Sequence, residues 1–223
     1  MKKFVLIVAG GSGNRMQGTI PKQFLELAGR PVLMHTFECF KDYDPDMEFI
    51  LVLPRRQMDV WKDLCGRHHF QMEHKLAFGG ETRFHSVKNG LEMVSEQGIV
   101  FIHDGVRPLV SKQTIQNCYN TAISKGNALP VIPVTESLRF LESEKSSSVE
   151  RSKFFLVQTP QTFQTTLIKK AYGTATNDHF TDDASVLEGY GQNINLVEGN
   201  RENLKITWPE DLIIAEAFMN IKL

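Results

Sequence analysis

A mostly parallel α/β sheet covered by helices on both faces is the fold this sequence predicts, and three observations predict it. Phe4 to Val8, Phe49 to Leu53 and Ile99 to Ile102 are continuous apolar runs, the pattern of strands buried on both faces. Helical patterns separate them, as in repeated strand-helix units. The first run ends in a glycine-rich loop, Gly10-Gly11-Ser12-Gly13, and ligands of open α/β sheets bind beyond the carboxyl ends of strands.

Taken in order, the first strand is Phe4 to Val8, with a helix expected to begin near Asn14. Phe49 to Leu53 is the second strand, ended by Pro54, and Gln57 to Leu64 is a helix. Gly90 and Leu91 fall in a helix that starts near Arg83 or Ser86. Ile99 to Ile102 is the third strand and leads into His103-Asp104-Gly105-Val106-Arg107-Pro108. Lys112 to Lys125 reads as an amphipathic helix and Ala128 to Val134 as a strand. From about 135 to 158 the rhythm breaks: Leu138 to Leu141 and Phe154 to Val157 flank a polar stretch and read as a protruding β-hairpin, apolar enough to need a partner. Pro209 opens a last helix over Glu210 to Asn220.

The 223 residues suit one domain, 1–223, with that hairpin as an arm. A hydrophobic fraction of 41% is ordinary for a packed core. A net charge of -1 argues against a general nucleic-acid binder. Cys39, Cys65 and Cys118 form no metal or redox pattern, which predicts a reducing, cytoplasmic setting. The apolar run after Met1-Lys2-Lys3 is too short for a signal peptide, and no run reaches the length of a spanning helix, so no membrane partner is expected.

The first loop carries the chemistry. Glycines free backbone N–H groups to form an anion-binding concavity, and Arg15 and Lys22 add two cations. The dinucleotide fingerprint fails because Met16 stands where its last glycine belongs, and no Gly-Lys-Ser/Thr of a P-loop occurs. A polyphosphate, such as a nucleoside triphosphate, fits best. Gly79-Gly80 form a second glycine turn ahead of a helix, with Ser86 able to cap it or meet a ligand. Asp104, at a strand's carboxyl end, suits a divalent metal shared with a triphosphate, Mg²⁺ being the expected ion; pairing with Arg107 is the structural alternative. His103 reads as a packed, hydrogen-bonding residue. Asp182 or Asp183 caps a helix or faces the site. Lys205 and Thr207 fall on one face of an expected strand, where a lysine is best explained by a phosphate.

Eight stretches, in one order over nearly the whole chain, carry a resemblance: A-G-G-S-G-N-R-M from Ala9, P-K-Q-F from Pro21, G-R-P-V-L-M-H-T from Gly29, G-G-E-T-R-F-H-S-V from Gly79, H-D-G-V-R-P from His103, Q-T-P-Q-T-F from Gln158, T-D-D-A-S from Thr181 and N-L-K-I-T-W-P-E-D-L from Asn203. Together they resemble the 2-C-methyl-D-erythritol 4-phosphate cytidylyltransferase family. The resemblance implies a Rossmann-like nucleotidyltransferase sheet that dimerises through its hairpin arm. It implies that CTP and a sugar-alcohol phosphate, 2-C-methyl-D-erythritol 4-phosphate, give the CDP-alcohol and pyrophosphate. Arg15 and Lys22 match the pair around the α-phosphate, and Lys205 a lysine near the phosphates. Ala9, Gly10, Gly11 and Gly13 match the triphosphate loop. Gly80, Glu81 and Ser86 match positions near cytosine and ribose, and Asp104 with Gly105 the ribose and metal side. Ser137, Arg151 and Thr207 match the acceptor side, Arg151 reaching across from a partner.

Departures fall mostly on that acceptor side: Glu136-Ser137 stands where the family often has Asp-Thr, and Trp208 where it commonly has a polar residue. A ribitol-5-phosphate cytidylyltransferase is the nearest alternative, but it usually has a longer stretch before P-K-Q than Gln17 to Ile20. A non-catalytic nucleotide-binding module is expected to lack one of Arg15, Lys22 or Lys205, and all three are present.

Overall fold

The structure is a computed structural model that describes residues 1–10, 20–95 and 97–221. Strand β1 covers Lys2–Val8 and is buried from Phe4 onward. Glu26–Leu27 (β2) and Arg30–Pro31 (β3) form a small antiparallel pair, and Val32–Tyr43 is helix α1. Strand β4 (Glu48–Leu53) leads into α2, Met58–Arg67. Strand β5 (Lys75–Phe78) precedes α3 (Arg83–Glu92), and β6 covers Gly98–Asp104. Helix α4 spans Lys112–Lys125 as predicted. The Ser111 hydroxyl accepts from the Thr114 amide at 3.1 Å and Gly126 ends the helix at φ 91°, so both signals come from residue type.

Strand β7 is Asn127–Pro133, β8 Arg139–Glu142 and β9 Lys145–Ser148. Phe155–Val157 is β10, Gln161–Gln164 is β11 and Thr165–Thr174 is α5. Asp183–Gly189 forms α6, Leu196–Glu198 forms β12 and Pro209–Asn220 forms α7.

The main sheet runs β10-β7-β11-β6-β1-β4-β5, with β12 also on β7. Strands β6, β1, β4 and β5 are parallel; β11 lies antiparallel to β6 and β7, and β10 antiparallel to β7. Side-chain alternation along β1 sorts the core into two layers. Val5 and Ile7 join Phe37, Phe40, Trp61, Phe101 and Ile115 beneath α1, α2 and α4. Phe4 and Leu6 join Val87, Leu91, Ile168, Tyr172 and Leu187 beneath α3, α5 and α6. The burial of β1, β4 and β6 on both faces explains why they read as unbroken apolar runs.

Two expectations are corrected. The hairpin does not pair Leu138–Leu141 with Phe154–Val157. A two-residue turn at Ser143-Glu144 pairs β8 with β9 instead, Ser143 taking φ 54°, and short hairpin loops need such a positive φ. Phe155–Val157 returns to the main sheet against Val131–Pro133. The hairpin is therefore shorter than the predicted arm and forms its own two-stranded sheet. The stretch around Lys205 is not a strand either; it docks by the Ile206 amide on the Val106 carbonyl at 2.9 Å.

Candidate functional site

The carboxyl ends of β1 and β6 and the turn after β5 converge, with the Lys205 segment laid across them. They enclose a cleft of about 230 Å³ whose walls include Ala9, Gly10, Lys22, Gly80, Glu81, Ser86, Asp104 and Lys205. A second cavity of about 320 Å³ shares Arg83, Asp104 and Lys205 with the first and adds Arg107, Thr159, Gln161, Thr181 and Asp182. Of the sequence-predicted residues, eight thus line the first cleft. Gly11, Gly13 and Arg15 lie outside the described residues, as does the helix expected near Asn14.

Lys22 is placed by its neighbour. The buried Gln23 amide donates to the Ala9 carbonyl at 2.8 Å and to Gln57 at 2.6 Å, tying the Lys22–Phe24 turn to the end of β1. Phe24 stacks on Trp61 beneath it. On the opposite wall, Thr82 rather than Ser86 caps α3, its hydroxyl accepting from the His85 amide. Ser86 Oγ accepts from the Gly80 amide and donates to the Thr82 carbonyl, both at 3.0 Å. It locks the turn that carries Glu81. Gly80 is required there: a Cβ would stand 2.3 Å from His85 Cβ.

Gly105 is absent from both linings. A Cβ on it would press Ala9 at 2.9 Å and Leu33 at 3.0 Å, so its smallness lets β1 and the Asp104 loop pack behind the cleft. Ser137 and Arg151 stand at the base of the hairpin, exposed and outside both cavities of their own chain. The Arg151 guanidinium donates to the Thr135 carbonyl. Thr207 also lines neither cavity; its hydroxyl donates to the Lys205 carbonyl at 3.0 Å.

Asp104 is the electrostatic centre. Its carboxylate lies 2.9 Å from Lys205 Nζ and 3.5 Å from Arg107 Nε. Burial alone pushes its pKa up, but Lys205, Arg83 and Arg107 outweigh burial and hold it well below the usual carboxylate range. The expected ligand-side position and the alternative pairing with Arg107 therefore coexist. Its backbone is fixed as well. The Thr159 hydroxyl accepts from the Asp104 amide at 3.1 Å and donates to His103 Nδ1 at 2.9 Å, while His103 Nε2 donates to the Arg107 carbonyl at 3.0 Å. Burial lowers the pKa of His103 to about 4, and a neutral ring protonated at Nε2 fits both partners. His103 is a packed, hydrogen-bonding residue, as read from the sequence.

Sequence reasoning passed over Arg83, though it lies between Glu81 and Ser86. Its two terminal nitrogens donate to the Asp183 oxygens at 2.7 and 2.6 Å. Burial would lower the pKa of Arg83, but Asp183 raises it, so the group stays cationic. Asp182 caps α6, accepting from the Ser185 amide at 2.9 Å, and Asp183 takes the buried pairing. The signal available was the pair itself: an arginine opening one helix and an Asp-Asp opening another.

The chain matches, over residues 3–221, the family described as IspD, 2-C-methyl-D-erythritol 4-phosphate cytidylyltransferase. A protein of that name from Bacteroides thetaiotaomicron is 54% identical over 98% of this chain and 100% of its own length. One from Bacillus velezensis is 38% identical over 98% of this chain and 96% of its own. Among solved structures, 4-diphosphocytidyl-2C-methyl-D-erythritol synthase from Anaerococcus prevotii superposes with a TM-score of 0.84 at 27% identity, covering 99% of this chain and 96% of that one. The 2-C-methyl-D-erythritol 4-phosphate cytidylyltransferase of Thermus thermophilus does so at 0.80 and 32% identity, covering 97% and 98%.

Proposed function

Because the chain belongs to the IspD family of 2-C-methyl-D-erythritol 4-phosphate cytidylyltransferases, we propose that its two joined cavities divide the reaction, CTP in the first and the acceptor phosphate in the second. The protein is a nucleotidyltransferase that joins CTP and 2-C-methyl-D-erythritol 4-phosphate, releasing pyrophosphate, in isoprenoid biosynthesis. The observation that carries the division of labour is the shared wall: Lys205 and Asp104 border both cavities.

An oxygen of the acceptor phosphate attacks the α-phosphorus of CTP. The new P–O bond forms as the bond to the β-phosphate breaks, and pyrophosphate leaves with the electron pair. Both reactants are anions, so fixed cations where charge builds lower the barrier most. In this reading Lys22 and Lys205, which line the same cleft, meet the phosphates together with Arg15. Ala9 and Gly10 border the triphosphate with Gly11 and Gly13, while Gly80, Glu81 and Ser86 hold the base and ribose side. No covalent intermediate is required.

Mg²⁺ is the proposed cofactor, and the donor set suits a shared ion. Among the described residues no group of three metal-ligating side chains exists. Mg²⁺ is usually held by one or two carboxylates plus substrate phosphates, and Asp104 is a carboxylate in the cleft wall whose pKa is held well below the usual range by Lys205, Arg83 and Arg107, so a site completed by the triphosphate fits. The ion, when bound, neutralises triphosphate charge.

A homodimer is proposed for the hairpin. Phe140 and Leu141 on β8 are 56% and 67% exposed, and an isolated two-stranded hairpin is marginal in water. Packing on a second copy covers them and carries Ser137 and Arg151 toward that copy's acceptor side, with Thr207 supplied beside Lys205. The cytoplasmic setting rests on three unpaired cysteines; no described helix is long and apolar enough to cross a membrane.

A pyrophosphate-release assay with Mg²⁺, across CTP, ATP, UTP and GTP and with methylerythritol phosphate or ribitol 5-phosphate, tests the reading. CTP with methylerythritol phosphate should give the highest kcat/KM. A clear preference for ribitol phosphate, or for another nucleotide, would sink it.

A further inference from the structure

Among the described residues, two cations border both cavities: Lys205 and Arg83. Lys205 sits on an irregular segment and is half exposed, whereas Arg83 is held on several sides. Its terminal nitrogens form a two-point fork on Asp183, which is fully buried. The Tyr172 hydroxyl donates to the same carboxylate at 2.6 Å, and the Tyr172 ring stacks on Phe84, the residue after Arg83, at 4.8 Å. A guanidinium has five N–H donors in a rigid plane. Two are directed at Asp183, which leaves three on a group whose orientation is already set. Its side chain is 29% exposed, and the exposed part borders the cavities. A purely structural ion pair needs no such position; it could lie anywhere between α3 and α6.

We propose, on the basis of the cytidylyl-transfer reading, that Arg83 is an acceptor-binding residue of this site: a pre-oriented cation bordering both cavities that hydrogen-bonds the phosphate of the acceptor as it meets CTP. Asp183 and Tyr172 are its positioning residues. Planar, paired donors suit phosphate oxygens better than the single ammonium of a lysine does.

Steady-state kinetics of Arg83→Lys test this. Charge is kept and the fork is lost, so KM for the acceptor phosphate should rise about tenfold or more, a charged hydrogen bond being lost, while KM for CTP stays within about twofold. Inorganic phosphate, used as a competitor of the acceptor, should lose potency by a similar factor, which a merely structural role would not produce. Tyr172→Phe should show a smaller rise in the same parameter. If Arg83→Lys fails to fold, the double variant Arg83→Gln/Asp183→Asn keeps a neutral hydrogen-bonded pair and should still show the acceptor defect. An unchanged acceptor KM, or an equal rise in both KM values, overturns the role of Arg83. A wild-type protein that releases no pyrophosphate from CTP with the acceptor overturns the cytidylyl-transfer reading itself, and the role of Arg83 with it.

Discussion

Lys205 Nζ stands 2.9 Å from Asp104 Oδ2, joining a segment near the carboxyl end of the chain to the end of a central strand. The lysine is about half exposed and the aspartate almost fully buried. That asymmetry separates their duties. Asp104 is held in place by Arg107 and by its own backbone bonds, whereas Lys205 keeps about half of its side chain open, where the proposed phosphate contact would form.

Lys205→Met should therefore lower kcat by about 10²–10³, the loss typical of one charge-stabilising group. The melting midpoint should fall by about 2–4 °C, because Lys205 leaves the buried Asp104 carboxylate to Arg83 and Arg107 alone. Unaltered turnover would remove Lys205 from the phosphates. Lys22→Ala should behave alike, and a large drop in its melting midpoint would instead make Lys22 structural.

Asp183→Ala should destabilise the fold by about 3–5 kcal/mol, because it strips the partner from the Arg83 fork and from the Tyr172 hydroxyl. Urea unfolding measures it. A loss below about 1 kcal/mol would show that the pair holds α3 and α6 weakly.

His103 predicts a pH dependence of stability. Its pKa is depressed in the fold, from the ordinary 6.5 to about 4, so the unfolded chain binds more protons between those values. The stability that His103 contributes is complete above about pH 6.5 and is lost as pH falls toward 4, at no more than about 1.4 kcal/mol per pH unit. Urea unfolding of wild type and His103→Gln at about pH 7.5 and about pH 4.5 isolates it: the gap between them should narrow at the lower pH. A constant gap would refute a neutral, buried imidazole.

Gly90→Val should cost about 1–3 kcal/mol through overpacking. A Cβ at Gly90 would lie 2.3 Å from Leu6 Cδ1 and 2.9 Å from Val52 Cγ2, where α3 rests on β1 and β4. Thermal melting reads it, and an unshifted midpoint would mean that α3 slides freely on the sheet.

The buried parallel strands β1, β4 and β6 were legible because each holds an unbroken apolar run, and α4 because its sequence is amphipathic at helical spacing. The first cleft was legible through glycines and cations whose chemistry is local: Ala9, Gly10, Lys22, Gly80 and Ser86 all border it. What escaped depends on distant partners. Arg83 gains its position from Asp183, a hundred residues away, and the helix-opening arginine and Asp-Asp pair do not by themselves say that they meet. The hairpin was misregistered because Phe154 to Val157 is as apolar as Leu138 to Leu141, and periodicity alone does not say that β7 claims it. Gly105 reads like a ligand-side glycine, yet its neighbours are Ala9 and Leu33.

The position of β1 has a consequence for folding. It lies between β4 and β6, and its residues Lys2–Val8 pair with Gly98–Asp104, a partner made nearly half a chain later. Only then does the Gly105 amide reach the Val8 carbonyl. Closing such a span is slow compared with local helix formation. A strand whose partner lies about a hundred residues away makes the central β1–β6 pairing a long-range contact, so folding of this sheet should be limited by that closure rather than by helix formation.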